Sequence, residues 1–384
     1  MDLSYILNEL GEERENYYRA VSPPIMQSSN FCFDNVQSLR ESLASEMDIP
    51  FYTRGHNPTV AILRKKIAAL EAAEECLVFS SGSASAAAGI MSCVQAGDHV
   101  ICVQKPYSWT HKLLANMLSR YGVETTFIDG REAANFRQAM KPNTRLFVLE
   151  SPNSMTFEMQ DIEVICQIAK ENNIETLVDN SYASPLNQQP ILYGADIVIH
   201  SATKYLNGHS DAVIGVLCAS RKKCEQIFAS EYMTLGGNVS PHDAWLMIRG
   251  LRTLEIRMQR VAETTPKIVS FLQQHPKIER VIYPFTEDFP QKDLAQKYLK
   301  NPTGQFSILL KVNELEEVEV FCNKLTRFLL ACSWGGYESL VYPVCVLYTS
   351  KNYGQTTLPW NMVRIYIGLE DAEVLIADLR QALG

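Results

Sequence analysis

Ala195-Asp196-Ile197-Val198-Ile199-His200-Ser201-Ala202-Thr203-Lys204-Tyr205-Leu206-Asn207-Gly208-His209-Ser210-Asp211 is the stretch that decides how this chain is read. An apolar strand runs to His200. Hydroxyls at 201 and 203 then precede Lys204, and a turn containing Gly208 follows. A lysine just beyond the carboxyl end of a strand stands where open α/β sheets hold ligands. Hydroxyls one and three residues before it can donate to a phosphate. The amine can condense with an aldehyde once it is partly desolvated and loses its proton. On spacing alone, a surface lysine after a buried strand fits the stretch equally well.

Working outward, short apolar runs alternate with amphipathic segments. The clearest are Cys76–Phe79, His99–Val103, Thr126–Ile128, Arg145–Leu149, Glu175–Val178, Ile197–His200 and Ala212–Cys218. This alternation predicts βαβ crossovers, a mainly parallel seven-stranded sheet and helices on both faces, an α/β fold. Residues 1–57 read as an irregular arm with a Ser22-Pro23-Pro24 turn. Residues 58–245 read as the large sheet domain, opened by a helix through Val60, Leu63, Ile67 and Leu70. One long helical stretch after Pro241 leads into a smaller α/β domain at 246–384. Its elements are Val281–Tyr283, Ser307–Lys311, a helix near 315–329, Met362–Ile367 and a last helix near 371–382.

Composition narrows the class. The 384 residues are 46% hydrophobic and 20% charged, as in ordinary globular proteins. The net charge is −8 with no basic block, which argues against a nucleic-acid partner. No apolar run approaches the roughly 18 residues of a membrane span. The start, Met1-Asp2-Leu3-Ser4, lacks the basic and apolar regions of a signal peptide. The ten cysteines form no C-x-x-C pair and read as reduced thiols, so the expected location is cytoplasmic. No metal-ligand pattern is expected.

With Val178-Asp179-Asn180-Ser181-Tyr182-Ala183-Ser184-Pro185 ahead of it, the lysine stretch resembles the Cys/Met-metabolism family of pyridoxal phosphate (PLP) enzymes. That family's pattern is roughly D-x-V-x-H-S-x-T-K-Y-x-x-G-H-S-D, and every fixed position is filled. The resemblance runs from about Pro23 to Leu383. It implies the aspartate aminotransferase-like architecture of fold type I, with Lys204 carrying PLP as a Schiff base. It implies that Asp179 pairs with the pyridine nitrogen and makes the ring an electron sink. Gly82 and Ser83, in Ser80-Ser81-Gly82-Ser83, open an Ala-rich helix whose N–H groups suit an anion. By resemblance they bind the phosphate, helped by Ser201 and Thr203. Tyr107 is the ring-stacking, proton-moving tyrosine. Tyr52 and Arg54, in Phe51-Tyr52-Thr53-Arg54-Gly55-His56-Asn57-Pro58-Thr59, reach a neighbouring subunit's cofactor phosphate. The resemblance thus implies a homo-oligomer: a dimer completing the site, assembled as a tetramer. Arg364 binds the substrate carboxylate, and Ser333 and Glu338 face the substrate.

Departures bear on the reaction. The family's Glu-Ser/Thr-Pro-x-Asn-Pro becomes Glu150-Ser151-Pro152-Asn153-Ser154-Met155, so Ser154 stands where an asparagine contacts the cofactor's phenolic oxygen, with Asn153 as the alternative. Ser108-Trp109 replaces two glycines after Tyr107. Ser350 replaces the His of a Thr-His pair near Tyr348-Thr349-Ser350. Cystathionine-cleaving members often carry an acid before the Tyr, and here Phe51 stands there. The expected activity is therefore C–S lyase action on a sulfur amino acid, giving keto acid, ammonia and thiol. The alternative is a γ-replacement transferase making cystathionine or homocysteine from an O-acylhomoserine. A third reading, from Ser154 and Ser350, is a PLP-binding paralogue without this catalysis. Intact Lys204, Asp179 and Arg364 oppose it.

Overall fold

Seven strands pair into one sheet in the computed structural model, which describes residues 1–348, 350 and 356–384. They are β1 (Glu75–Phe79), β2 (His99–Val103), β3 (Glu124–Ile128), β4 (Thr144–Glu150), β5 (Glu175–Asp179), β6 (Ile197–Ser201) and β7 (Gly215–Ala219). The spatial order is β1-β7-β6-β5-β4-β2-β3. All neighbours run parallel except β7, which is antiparallel to both β1 and β6. Apolar residues fill both faces of β2 and β7, as expected of strands covered by helices on each side. One helix, Gly82–Met91, lies directly on the sheet. A Cβ added at its Gly89 would come within 2.7 Å of the Leu177 side chain.

After β7 the expected single long helix is two, Pro241–Leu251 and Leu254–Gln273. The break falls at Arg252-Thr253, where Thr253 donates its hydroxyl to the Gly250 carbonyl (3.1 Å) and Arg252 turns to Glu12. Position 246 lies inside the first of these helices. The rest of the chain builds a second sheet from β8 (Ile278–Ile282), β9 (Gln305–Leu310), β10 (Leu329–Leu330), β11 (Leu340–Pro343) and β12 (Met362–Tyr366). Its order is β10-β11-β12-β9-β8. It has its own apolar core around Phe306, Ile308, Phe321, Val363 and Leu379. Trp334, Leu340 and Tyr366 instead join the core of the large sheet. The two sheets therefore meet at the segment 333–340, beside Lys204.

The first 57 residues are less irregular than their sequence implies. Asp2 caps a helix at Leu3–Asn8, and Asn35 caps another at Val36–Leu43. Ile6 and Leu7 are buried on their own chain. The anchor is Lys66, fully buried, which donates to the carbonyls of Ile6 and Leu7 and pairs with Glu12 at 3.2 Å. Among the described residues no helix is long and apolar enough to cross a membrane.

Gly215 of β7 allows the closest approach in the sheet: an added Cβ would lie 2.0 Å from the Ser81 carbonyl oxygen. That contact seats the Ser81-Gly82 turn on the end of β6. Gly215→Ala should therefore cost about 1–3 kcal/mol of stability or more, measured as a fall in the denaturant midpoint. It should also weaken retention of any phosphate held at that turn. An unchanged midpoint would show that the turn is not seated this way.

Candidate active site

The chain leaves β6 at Ser201 and coils at once. Lys204 N–H bonds back to the Ser201 carbonyl (3.1 Å), and Gly208 N–H to the Lys204 carbonyl (2.8 Å). Arg257, buried and facing no carboxylate among the described residues, clamps the coil by donating to the carbonyls of Tyr205 (2.7 Å) and Gly250 (3.0 Å). From the other side Gly335, at φ +86°, presses on the Lys204 backbone, where any Cβ would stand 2.9 Å from the Lys204 Cα. The lysine is thus held between the helix Leu254–Gln273 and the segment joining β10 to β11.

Its half-buried amine donates to Ser333 Oγ at 2.7 Å and lies 5.6 Å from the centre of the Trp334 ring. Burial, reinforced by the nearby Arg364 charge, lowers the amine's pKa to about 8. Such an amine is partly neutral, and nucleophilic, near physiological pH.

Asp179 ends β5, in register with Glu150 of β4 on one side and Ile199 of β6 on the other. Its Oδ1 accepts from Ser181 N–H (3.0 Å) and Ser181 Oγ–H (2.6 Å). Burial raises its pKa, while Ser181, His200 and Lys204 oppose that rise. Glu150 accepts the N–H of Tyr107 (2.5 Å) and of Ser154 (3.2 Å). The carboxyl thereby ties the Tyr107 loop and the Ser154 loop to the same sheet edge. The Tyr107 ring is exposed.

An anion cradle stands beside them. Ser81 caps the helix Gly82–Met91 by accepting Ala84 N–H (3.1 Å). The N–H groups of Gly82 and Ser83 have no acceptor among the described residues, and Gly82 rests on Ser201. The Ser201 hydroxyl also lacks a partner among the described residues. Thr203 is less open. Its hydroxyl exchanges hydrogen bonds with the Ile214 carbonyl and N–H.

Arg364 comes from β12 and is 7% exposed. It donates to the carbonyls of Cys332 (2.6 Å) and Ser333 (3.3 Å) and lies 5.1 Å from the Tyr342 ring centre. In the amide orientation that satisfies both neighbours, the Gln305 oxygen accepts from Arg364 Nε (3.2 Å) and Trp334 Nε1 (3.3 Å). Arg364 has no carboxylate partner among the described residues. An unpaired buried guanidinium is costly, and desolvation lowers its pKa to about 10. The pocket therefore favours an incoming anion.

Two expected residues, Asn153 and Glu338, hydrogen-bond elsewhere. Asn153 spends its side-chain oxygen on the N–H groups of Met155, Thr156 and Phe157, which closes its own turn. Glu338 accepts the Ser210 hydroxyl at 2.5 Å, behind the Lys204 coil, and makes no hydrogen bond to Lys204 or Arg364. Tyr52 and Arg54 are exposed and stack on each other, 5.4 Å from cation to ring centre. Thr349 lies outside the described residues. Sequence reasoning assigned no role to Glu150, Arg257, Gln305 or Trp334. Only Glu150 carried a signal, as the first residue of the Glu-Ser-Pro motif that follows an apolar run.

An aldehyde-bearing phosphate cofactor with a basic ring nitrogen fits this set: a desolvated lysine, a carboxylate in the next strand, and free N–H donors at a helix start. The comparisons agree. Residues 6–384 match the model of the "Cys/Met metabolism PLP-dependent enzyme" family. An L-methionine gamma-lyase of Treponema denticola is 37% identical over 96% of this chain and 94% of its own. A cystathionine gamma-synthase of Mycobacterium tuberculosis is 35% identical over 95% and 92%. The crystal structure of metB from Corynebacterium glutamicum superposes with a TM-score of 0.93 at 33% identity, covering 100% of this chain and 98% of that one. The chain belongs to the Cys/Met metabolism PLP-dependent enzyme family: it is a PLP-dependent lyase or transferase of the transsulfuration type.

Proposed function

We propose that this enzyme is a carbon–sulfur lyase that acts on methionine, homocysteine or cystathionine by α,γ- or α,β-elimination. The observation that carries the proposal is the desolvated Lys204 amine, hydrogen-bonded to Ser333 and within the electrostatic reach of both Asp179 and the Arg364 guanidinium. Bound PLP supplies an electron sink for the charge left when a Cα proton departs. Lys204 is the residue that would carry the cofactor, and Asp179 would keep the ring nitrogen protonated. The N–H groups of Gly82 and Ser83 and the hydroxyls of Ser201 and Thr203 would hold the phosphate. Tyr107 would cover the ring, and Ser154 would meet its phenolic oxygen. Exposed Tyr52 and Arg54 fit a role in a neighbouring copy's site, so the active unit is a homodimer, assembled as a tetramer.

The chain's own residues then divide the work. Arg364 grips the substrate carboxylate and aims the Cα–H bond at Lys204. Ser333 holds the free lysine amine in place at 2.7 Å. That amine takes the Cα proton and carries it along the substrate, and Tyr107 protonates the leaving sulfur. One feature favours a side chain without a distal charge: Phe51, packed on Phe33 at 5.7 Å, is apolar where an acid could meet an ammonium. The similarity to a cystathionine gamma-synthase supports a second reading, the γ-replacement transferase.

Pure holoenzyme given methionine, homocysteine or cystathionine should release keto acid and ammonia. Product formed only from an O-acylhomoserine plus a thiol would replace the lyase reading with the transferase one. Lys204→Ala should lose the cofactor's visible absorption band together with turnover, at least ~10²–10⁴-fold from lost proton transfer alone. Arg364→Ala should lower kcat/KM by about 30-fold or more, the ~2 kcal/mol expected for stranding a buried charge partner. In cofactor-free protein, acylation of Lys204 followed by mass spectrometry should rise with pH around a midpoint near 8. Arg364→Met should move that midpoint upward, because a repelling charge is gone.

A further inference from the structure

The carboxyl of Glu150 has no assigned part in this chemistry, yet it is 7% exposed and stands beside Asp179 in the strand register. No lysine, arginine or histidine pairs with it among the described residues. The groups that face it are Asp179 from β5, the Cys102 thiol from β2, and Tyr107 and Ser154 from their loops. Beyond Asp179 stand His200 and Lys204. Two carboxyls in one desolvated corner cannot both ionise cheaply.

Local donors decide which of them keeps the proton. Asp179 has the Ser181 hydroxyl and N–H, with His200 and Lys204 close by, all of which favour its ionised form. Glu150 has the N–H groups of Tyr107 and Ser154 and the Ser154 hydroxyl as donors, which favour its ionised form, but no cation among the described residues. Burial, then the Asp179 charge, pushes the Glu150 carboxyl up to about 8.

We propose that Glu150 is a positioning residue that holds the proton of the Glu150–Asp179 pair, so that the pair carries one negative charge, lodged on Asp179, while the Glu150 oxygens fix the backbones of Tyr107 and Ser154 beside it. This rests on the reading of Asp179 as the partner of the cofactor's ring nitrogen. When Glu150 ionises at alkaline pH, a second charge appears next to Asp179 and the carboxyls repel. Turnover then falls.

The test compares wild-type and Glu150→Gln holoenzymes. Both kcat/KM and the cofactor's visible absorption are followed against pH, since kcat/KM reports groups of the free enzyme. The wild type should show an alkaline limb near pH 8. The amide cannot ionise, so in Glu150→Gln the limb should move up by at least one pH unit, a tenfold change in proton affinity. Lys204 and Arg364 are intact in that variant. A limb that stays where it was therefore belongs to them, and it overturns the proposal, as does a wild type without such a limb. Should Glu150→Gln fail to fold or to retain cofactor, infrared spectra of wild-type holoenzyme carrying ¹³C-glutamate decide. A protonated glutamate band at neutral pH that fades along the limb supports the proposal, and its absence at neutral pH overturns it. An Asp179→Asn holoenzyme with unchanged cofactor absorption would instead sink the underlying reading of Asp179.

Discussion

The active centre depends on a strand register. Glu150, Asp179 and Ile199 stand abreast at the carboxyl ends of three adjacent parallel strands. Parallel pairing brings every such end to one edge, so groups 20 to 30 residues apart in the chain become neighbours. The same edge receives the helix start at Gly82 and the Lys204 coil. A slip of one residue in β5 would turn Asp179 to the opposite face and leave the lysine without its carboxylate. The N–H and hydroxyl of Thr176, both donating to Asp196 at 2.8 Å, help hold β5 in register beside β6.

The second constraint is electrostatic. The site gathers Lys204, Arg257, Arg364, Asp179 and Glu150 where water is largely excluded, yet it pairs few of them directly. Arg257 is satisfied by carbonyls and serves the fold. Arg364 has carbonyls but no anion among the described residues. That difference separates a structural guanidinium from one suited to a ligand. Desolvation brings Lys204 and Glu150 toward the same neutral range from opposite directions. The amine can therefore change protonation near working pH, as proton-transfer chemistry requires, while the Glu150 carboxyl keeps its proton up to that range.

Much of this was legible in the sequence, for physical reasons. Strands covered on both faces must be largely apolar, so six of the seven strands of the large sheet stood out, while of the partly exposed edge strand β3 only the Thr126–Ile128 end showed. A phosphate site at a helix start needs small residues, so Ser80–Ser83 stood out too. Arg364 and Ser333 have no local signature. They come from the second sheet and matter only once it packs against Lys204, so they were visible through the family resemblance alone. Strand β10 has two residues, too few for a period to show. Glu150 and Asp179 are 29 positions apart, and only their register reveals the pair. That Asn153 closes its own turn needed coordinates, because such an asparagine looks the same in sequence as one that faces a ligand.

The central claim is that Lys204 carries the cofactor at this sheet edge. Reducing the holoenzyme with borohydride and mapping the modified peptide by mass spectrometry tests it most directly. One phosphopyridoxyl group on Lys204, in the peptide spanning Ser201 to Asp211, is the expected result. Label on a different lysine, or no label on a protein that still turns over substrate, would contradict the account.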